Sequence, residues 1–285
     1  MTRPTAWPNG KKIAVSVTVM FETWSEGAAP NYSVQTTHLK SGTVDHASKA
    51  WSTYGGRVGV WRIIRMLDRL QIPGTFFTNG RCTEDYPDAV KQIVKSGHDI
   101  AAHAYTQDQL LAYMSLEDQQ KTIRRSVDVL EACGGKEVTG WGSPVIAFTP
   151  ETSGFLAQAG LKWTCDVTYA DLPIVIRTPH GPIAGVPTSD FSDNRVMRAS
   201  PRDLYDAHCG TFDYLVENEA MSMLALVIHC QFGGRPLMTA VLQEILKYFA
   251  KSSDVWFARH EELANWALAG NVDEHRYQER YFSNQ

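Results

Sequence analysis

The sequence predicts an α/β fold, a distorted (β/α)7-type barrel that forms a single domain over residues 1–285. Short β-branched apolar runs alternate with amphipathic segments about every 30 to 40 residues, which indicates parallel strands joined by helical crossovers. A chain of this length with 44% hydrophobic residues can bury one large core. No internal repeat or low-complexity linker divides it. Seven or eight such units close more naturally as a barrel than as an open sheet.

The N-terminal part of the chain predicts a strand, a long loop and a helix. Ile13–Phe21 is a β-branched apolar run after Asn9-Gly10, so we predict a buried strand. Residues 22–57 are rich in Ser, Thr, Gly and aromatic residues without clear periodicity, which predicts a long loop of the kind that often forms a functional lid. Residues 58–70 have apolar residues at helical spacing, and Pro73-Gly74 ends that helix.

The alternation continues to the C-terminus. Ser115 ahead of Glu117 and Asp118 predicts the start of one helix, and Thr149-Pro150-Glu151 predicts the start of another. Residues 270–285 are polar and aromatic, and we interpret them as a surface tail or subunit arm. The remaining predicted strands are 75–78, 100–102, 138–141, 163–166, 182–186, 223–228 and 254–258. The remaining predicted helices are 85–96, 115–133, 149–160, 200–218, 237–250 and 260–268.

Three titratable residues directly follow predicted strands, where barrel enzymes place their catalytic groups. Glu22 can act as a general base or a metal ligand, although a solvated loop acid fits the composition too. His103 can bind a metal or relay protons, or be a satisfied core histidine. His229 follows five apolar residues and is the sharpest feature. Cys230 beside it is interpreted as a buried inert thiol rather than a nucleophile.

Other patterns carry less information. Asp166 at a strand end is either an orienting group or a helix cap. Two glycine-rich segments, Gly55-Gly56-Arg57 and Gly233-Gly234-Arg235, do not follow strands in a phosphate-binding register. No GxSxG elbow occurs, which argues against a serine α/β-hydrolase.

In chain order these pieces resemble the NodB-homology polysaccharide deacetylases (carbohydrate esterase family four), and especially their branch of allantoinases and cyclic imide hydrolases. The resemblance spans about residues 10–268. Its segments are Tyr54-Gly-Gly-Arg-Val-Gly-Val-Trp61, Gly74-Thr-Phe-Phe77, Gly97-His-Asp-Ile-Ala-Ala-His103, Phe148-Thr-Pro-Glu-Thr152, Asp171-Leu-Pro173, Ile228-His229 and Val255-Trp256.

The resemblance implies roles for individual residues. Glu22 matches the acid after the first strand, His103 the first histidine of the HxxxH motif, and His229 the late histidine that protonates the leaving group. Many members hold a divalent metal such as zinc with one Asp and two His. Here Thr23 and Trp24 stand where the metal-binding Asp is expected, and Gln107 replaces the second histidine. Gly142 replaces the arginine that usually orients the acidic base.

Two readings of the metal stay open. A weaker metal could be held by Glu22, His103 and Gln107, or catalysis could run without metal, and the departures favour the second.

We therefore expect a hydrolase that cleaves a non-peptide C–N bond in a small amide, ureide or cyclic imide. The alternatives are an N-acetyl sugar deacetylase and a catalytically inactive barrel that serves as a binding module. The predicted catalytic residues are Glu22, His103 and His229, and the predicted substrate-binding residues are Trp24, Gln107, Trp141, Asp166 and Phe232. The 22–57 loop would close over the substrate with Trp24, Tyr32, His38, His46 and Trp51.

Charge and cysteine usage set the expected surroundings. The net charge of -4 gives no general attraction for nucleic acid or anionic lipid. The N-terminal residues lack an apolar signal region, no apolar stretch is long enough to span a membrane, and the five cysteines form no CxxC pair. We expect a cytoplasmic protein with a small-molecule substrate and no nucleic-acid or membrane partner. The long loop and the tail suggest a homo-oligomer.

Overall fold

The structure is a computed structural model, which describes residues 7–36, 39–40, 42–270 and 277–282. Within these residues one sheet has nine strands: β1 Ile13–Phe21, β2 Thr75–Thr78, β3 Asp99–Ala102, β4 Gly140–Trp141, β5 Trp163–Thr164, β6 Ile174–Ile176, β7 Ile183–Gly185, β8 Ser222–His229 and β9 Val255–Phe257. The described helices are α1 His46–Tyr54, α2 Val60–Leu70, α3 Cys82–Asp85, α4 Pro87–Lys95, α5 Leu116–Gly134, α6 Thr152–Gln158, α7 Pro201–Asn218, α8 Pro236–Phe249, α9 His260–Gly270 and α10 Tyr277–Phe282.

The strands follow the order β6-β7-β5-β4-β3-β2-β1-β8, and β9 pairs with the start of β1. All pairs are parallel except β6 with β7. The predicted α/β barrel-type fold is confirmed in a curled form. Its two end strands, β6 and β8, do not pair with each other in the part of the chain that the structure describes.

β1 is central, and its sequence explains why. Eight of its nine residues are buried, because parallel sheets are covered on both faces and require apolar side chains on both. Its register pairs Met20 with His229 on one side and Phe21 with Thr78 on the other. The ends of β1, β2, β3 and β8 therefore meet at one edge of the sheet.

The opposite end of the sheet interior is filled by large rings. Trp163, Phe77 and His260 are buried and in contact, with ring centroids 5.1 to 5.7 Å apart. A Cβ at Gly140 would overlap the Trp163 indole, so only glycine fits at that position. This packing closes the lower end and leaves the carboxyl edge for the site.

Three predictions about the elements need correction. The 22–57 segment is not a loop throughout, because Asp45 caps helix α1 through its side chain and Gly55–Gly59 forms one π-helical turn. The C-terminal tail contains α10, whereas residues 271–276 and 283–285 of that predicted tail lie outside the described residues. His38 of the predicted lid also lies outside them. Strand β6 was not predicted, because three residues are too few for a pattern.

None of the helices in the described ranges combines the length and the apolar character needed to cross a bilayer.

Candidate active site

The three residues predicted to be catalytic lie together at the carboxyl edge of the sheet. Glu22 Oε1 is 3.8 Å from His103 Nε2 and 3.9 Å from His229 Nε2. They come from distant parts of the chain. They meet here because each ends or directly follows one of the strands β1, β3 and β8. The carboxylate oxygen thus faces two imidazole nitrogens at a separation that a water molecule or a substrate atom can bridge.

The other oxygen of Glu22 is fixed by protein donors. Oε2 accepts hydrogen bonds from Tyr32 Oη at 3.2 Å and from Gln231 Nε2 at 2.6 Å. Burial raises the pKa of Glu22, but the charge of His229, the neighbouring His103 ring and the hydrogen bond from Gln231 outweigh burial, so its pKa lies below the ordinary value. Glu22 is therefore a buried carboxylate that stays ionised and has one oxygen free to act.

His229 is held by a second buried acid, Asp193. Asp193 Oδ1 lies 2.6 Å from His229 Nδ1, and Asp193 Oδ2 accepts the peptide N–H of His229 at 2.9 Å. Burial lowers the pKa of His229, but the charges of Asp193 and Glu22 and the hydrogen bond to Asp193 raise it to about 9. The ring is therefore protonated at neutral pH, and its Nε2–H points toward Glu22.

His103 has a defined orientation. Its Nδ1 lies 2.6 Å from the carbonyl oxygen of Gly142, and because a carbonyl only accepts, Nδ1 carries the proton. Its Nε2 is buried without a protein hydrogen-bond partner. In addition, Asn79 donates to the backbone carbonyl of His103 and accepts from the backbone N–H of Thr23, which ties the β1 and β3 ends together.

A cavity of about 680 Å³ opens over this cluster. It contains Glu22, His103 and His229 together with two residues predicted to bind substrate, Gln107 and Asp166. Its lining combines polar side chains with the apolar side chains of Met20, Val145, Ile146 and Val227. The size suits a small molecule or one to two sugar units.

Asp166 lies in the cavity wall in a fixed position. Its Oδ1 accepts the backbone N–H of Ser143 at 2.8 Å, and its Oδ2 accepts the Ser143 hydroxyl at 2.7 Å. Burial raises the pKa of Asp166 above its ordinary value despite these hydrogen bonds. Of the two interpretations of the sequence, these contacts favour an orienting group over a helix cap.

Three residues predicted to bind substrate do not line this cavity. Trp24 lines a separate surface depression with Lys49 and packs near the Tyr32 ring. Trp141 is completely buried, and its Nε1 donates to the Ser143 hydroxyl. Phe232 packs against the apolar core. The structure therefore places these three side chains outside the cavity, because position in the sequence alone does not determine which way a side chain turns.

Three site residues were not predicted in these roles. Asp193 lies in the segment between β7 and α7, and no local pattern distinguishes it from the neighbouring Asp190. Gln231 is two residues after His229, and this short separation in the sequence is the signal that places it near the site. Tyr32 was expected to cover the substrate, and it reaches Glu22 itself.

The residues proposed as metal ligands do not fit a zinc ion. Glu22, His103 and Gln107 all line the cavity, but no three His, Cys, Asp or Glu side chains in the described ranges converge as a metal site. Gln107 offers only a neutral amide oxygen. The second imidazole near Glu22, that of His229, is paired through Nδ1 with Asp193, and its Nε2 would bind a metal only in the deprotonated form.

Comparisons with known proteins agree with the observed fold. A family model for polysaccharide deacetylase matches residues 43–164. A peptidoglycan deacetylase of Helicobacter pylori is 21% identical over 254 residues, which cover 76% of this chain and 86% of that protein.

Two solved structures share the fold. A putative polysaccharide deacetylase from Mycobacterium smegmatis superposes with a TM-score of 0.81 at 24% identity, covering 96% of both chains. The Puue allantoinase superposes with a TM-score of 0.82 at 26% identity, covering 94% of both chains. These matches relate residues 43–164 to the polysaccharide deacetylase family, and over nearly its whole length the chain has the fold of a polysaccharide deacetylase and of an allantoinase.

Proposed function

We propose that this protein hydrolyses a non-peptide C–N bond in a small amide, ureide or cyclic imide by general acid and base catalysis. The observation that carries the proposal is the position of Glu22 Oε1, 3.8 Å from His103 Nε2 and 3.9 Å from His229 Nε2, in the wall of a 680 Å³ cavity. An ionised carboxylate and a protonated imidazole side by side are the two forms that hydrolysis needs at neutral pH.

Glu22 is the base in this proposal. Its lowered pKa keeps it ionised, and Oε1 is the oxygen that Tyr32 and Gln231 leave free. It takes a proton from water as the water oxygen attacks the carbonyl carbon, and the carbonyl π electrons move onto the oxygen. His103 Nε2 accepts the other hydrogen of that water and fixes its orientation.

His229 is the acid. As the tetrahedral intermediate collapses, the C–N bond breaks and its electron pair goes to nitrogen, which takes the proton from His229 Nε2. The products are a carboxylic acid and an amine or amide. Asp193 stabilises the imidazolium before the transfer and keeps Nδ1 protonated, so Nε2 is the nitrogen that delivers the proton.

The cavity wall contains buried hydrogen-bond acceptors that no protein donor satisfies. Two of these acceptors, His103 Nε2 and Gln107 Oε1, belong to cavity-lining residues and are buried without protein partners. Buried acceptors without partners favour a ligand with several N–H groups, because each unpaired acceptor costs free energy. Ureides and cyclic imides carry such N–H groups close to the scissile carbonyl, which supports the small-molecule reading.

The test is a substrate screen followed by two substitutions. Purified protein is assayed on cyclic imides, ureides and N-acetyl sugars, and Glu22→Gln and His229→Ala are compared with the wild type on the substrate that turns over. We expect each to lower kcat by about 10²- to 10⁴-fold. The matched control, His180→Ala, removes an exposed histidine and leaves kcat unchanged. Unchanged turnover in both site variants would refute the proposal.

A second candidate is de-N-acetylation of an amino sugar. The relationship to the Helicobacter pylori peptidoglycan deacetylase favours it. The same screen separates the two, because release of acetate from N-acetylglucosamine oligomers with no turnover of imides or ureides would replace the first proposal. Absence of turnover on every class would support the catalytically inactive binding module.

We also propose that the protein is a homo-oligomer. Several large apolar side chains are exposed around the cavity mouth and beside it, among them Tyr113, Val145 and Phe148. Light scattering coupled to size exclusion gives the mass of the particle, and a monomeric mass at micromolar concentration contradicts this proposal.

A further inference from the structure

Two glycine-rich segments that the reaction does not use pack against each other directly behind the site. The first is the π-helical turn Gly55–Gly59, and the second is the turn from Cys230 to Gly234 after β8. We refer to this pair as the glycine clasp. A Cβ at Gly59 would overlap the Cys230 carbonyl oxygen, and one at Gly234 would overlap the Gly59 backbone. The two backbones therefore touch in a way that only glycine permits.

The clasp holds one side chain that reaches the reacting carboxylate. Gln231 is completely buried within the Cys230–Gly234 turn, and its Nε2 donates to Glu22 Oε2 at 2.6 Å. A Cβ at Gly55 would lie 3.1 Å from the Gln231 backbone nitrogen and 3.4 Å from Gln231 Oε1. The absence of a side chain at Gly55 thus lets the Gln231 backbone pack this closely, and a methyl group there would press on the base of the Gln231 side chain.

Two arginines stabilise the contact between the two segments. Arg62 on α2 donates to the Gly234 carbonyl and to the Tyr54 hydroxyl, and the Arg235 guanidinium lies 3.8 Å from the centre of the Tyr54 ring. Single π-helical turns inside longer helices are frequent at functional sites, because the extra residue redirects a short stretch of backbone.

We infer that Gln231 is a positioning residue for Glu22, and that the glycine clasp sets the place of its amide. The inference rests on Glu22 being the base of the proposed function. Gln231 and Tyr32 together occupy Oε2, so the carboxylate can only turn Oε1 toward His103 and His229. The thiols of Cys82 and Cys230 and the hydroxyl of Tyr32 also lie near Glu22, and all three are buried with a pKa well above the ordinary value, so they stay neutral.

The first variant is Gln231→Leu, which keeps the volume and removes the donor. A crystal structure is expected to show the Glu22 carboxylate rotated away from the His103–His229 pair, and kcat is expected to fall about 100-fold with KM within about 2-fold of the wild type. Gln119→Leu is the matched control. Gln119 is also a completely buried glutamine, and its hydrogen bonds go to Thr149 and Thr152 rather than to Glu22, so its loss affects stability without removing a contact to the carboxylate.

The second variant tests the glycine clasp, and it keeps the inference testable if Gln231→Leu does not fold. Gly55→Ala adds one methyl group against Gln231 and leaves the glutamine amide in place in the sequence. We expect Glu22 to be displaced in the same direction as in Gln231→Leu, and kcat to fall by a smaller factor. Gly210→Ala on α7 is its control, because nothing lies within 4 Å of that added methyl.

The readouts separate this inference from the proposed function. If no substrate turns over, the crystal structures still report whether Glu22 moves, and displacement supports the positioning role by itself. If turnover is found and Glu22 stays in place with kcat unchanged in both Gln231→Leu and Gly55→Ala, the inference is overturned while the hydrolase stands.

Discussion

Asp193 and His229 are joined through both carboxylate oxygens, because Oδ1 lies 2.6 Å from the ring Nδ1 and Oδ2 lies 2.9 Å from the peptide nitrogen. Asp193 is completely buried, and the close approach of Gly233 leaves its Oδ2 no room for a bulkier neighbour. The pair therefore determines both where the His229 ring stands and which of its nitrogens carries the transferable proton.

Replacement of that acid tests the relationship. Asp193→Asn keeps the size and removes the charge that raises the pKa of His229, and an amide can donate to Nδ1 and so favour the wrong tautomer. We expect kcat/KM to fall by about 10²- to 10⁴-fold. Steady-state kinetics measures this, and Asp190→Asn, which changes a neighbouring cavity acid without a contact to His229, serves as the control. Equal effects of the two substitutions would contradict the pairing.

The pH dependence of kcat/KM follows from the two pKa directions. Glu22 must be ionised, and its pKa lies below 4.5, so the acid limb falls below that pH. His229 must be protonated, and its pKa is about 9, so activity declines as the pH rises through 9. We expect a plateau from about pH 5 to 8, and a base limb that moves to lower pH in Asp193→Asn. A base limb near pH 6.5 in the wild type would contradict the assignment of His229 as the acid.

His260 makes the fold sensitive to acid. Burial lowers its pKa to about 3 from an ordinary value of 6.5, and its Nε2 lies 3.2 Å from the Thr18 hydroxyl. A depressed histidine pKa contributes stability above pH 6.5 that is lost as the pH falls toward 3. The loss is on the order of 1 kcal/mol per pH unit in that window.

Chemical denaturation at pH 7 and pH 5 measures this loss. His260→Phe keeps the ring between Trp163 and Phe77, and we expect a smaller fall in the free energy of unfolding between the two pH values than in the wild type. His180→Phe, at an exposed position, is expected to behave like the wild type. An identical fall in His260→Phe would show that other groups cause the acid sensitivity.

The fold was predictable because its main signal is local. The run Ile13–Phe21 is apolar on both faces, and that pattern alone predicts a strand covered on both sides. Helix α1 was missed because its nine residues are mostly polar or small and lack a clear apolar stripe. Its N-cap, Asp45, is a local signal, but capping residues also occur in loops.

The site was predictable to the extent that it follows from strand ends. Glu22, His103 and His229 could be placed together because parallel strands bring their carboxyl ends to one edge. Asp193 and Gln231 could not, because they reach the site from connecting segments whose path depends on long-range packing. Trp141 shows a different limit of the sequence pattern. It does end a strand, as predicted, but its side chain is buried in the core instead of facing the cavity.

Backbone strain at the cavity mouth gives a further prediction. Val145 and Ile146 have φ values of 48° and 57°, a left-handed conformation that β-branched residues rarely adopt, and Val145 is 65% exposed. Val145→Gly relieves the strain with little loss of buried surface, so we expect the free energy of unfolding to rise by about 1 kcal/mol. Val145→Ala retains the Cβ and should not gain that stability. Equal stability of the two variants would show that the turn is unstrained.

Chelation tests the metal question through the donor set. Gln107 supplies only an amide oxygen, so Glu22 and His103 are the two members of the predicted ligand set with donor atoms of ordinary strength. We expect kcat to be unchanged after dialysis against EDTA, with less than one equivalent of zinc in the purified protein by elemental analysis. In Gln107→His a second imidazole stands four residues after His103, and we expect it to bind zinc more tightly than the wild type in calorimetry. Loss of activity on chelation that returns with added zinc would establish a metal enzyme and overturn this reading of the ligands.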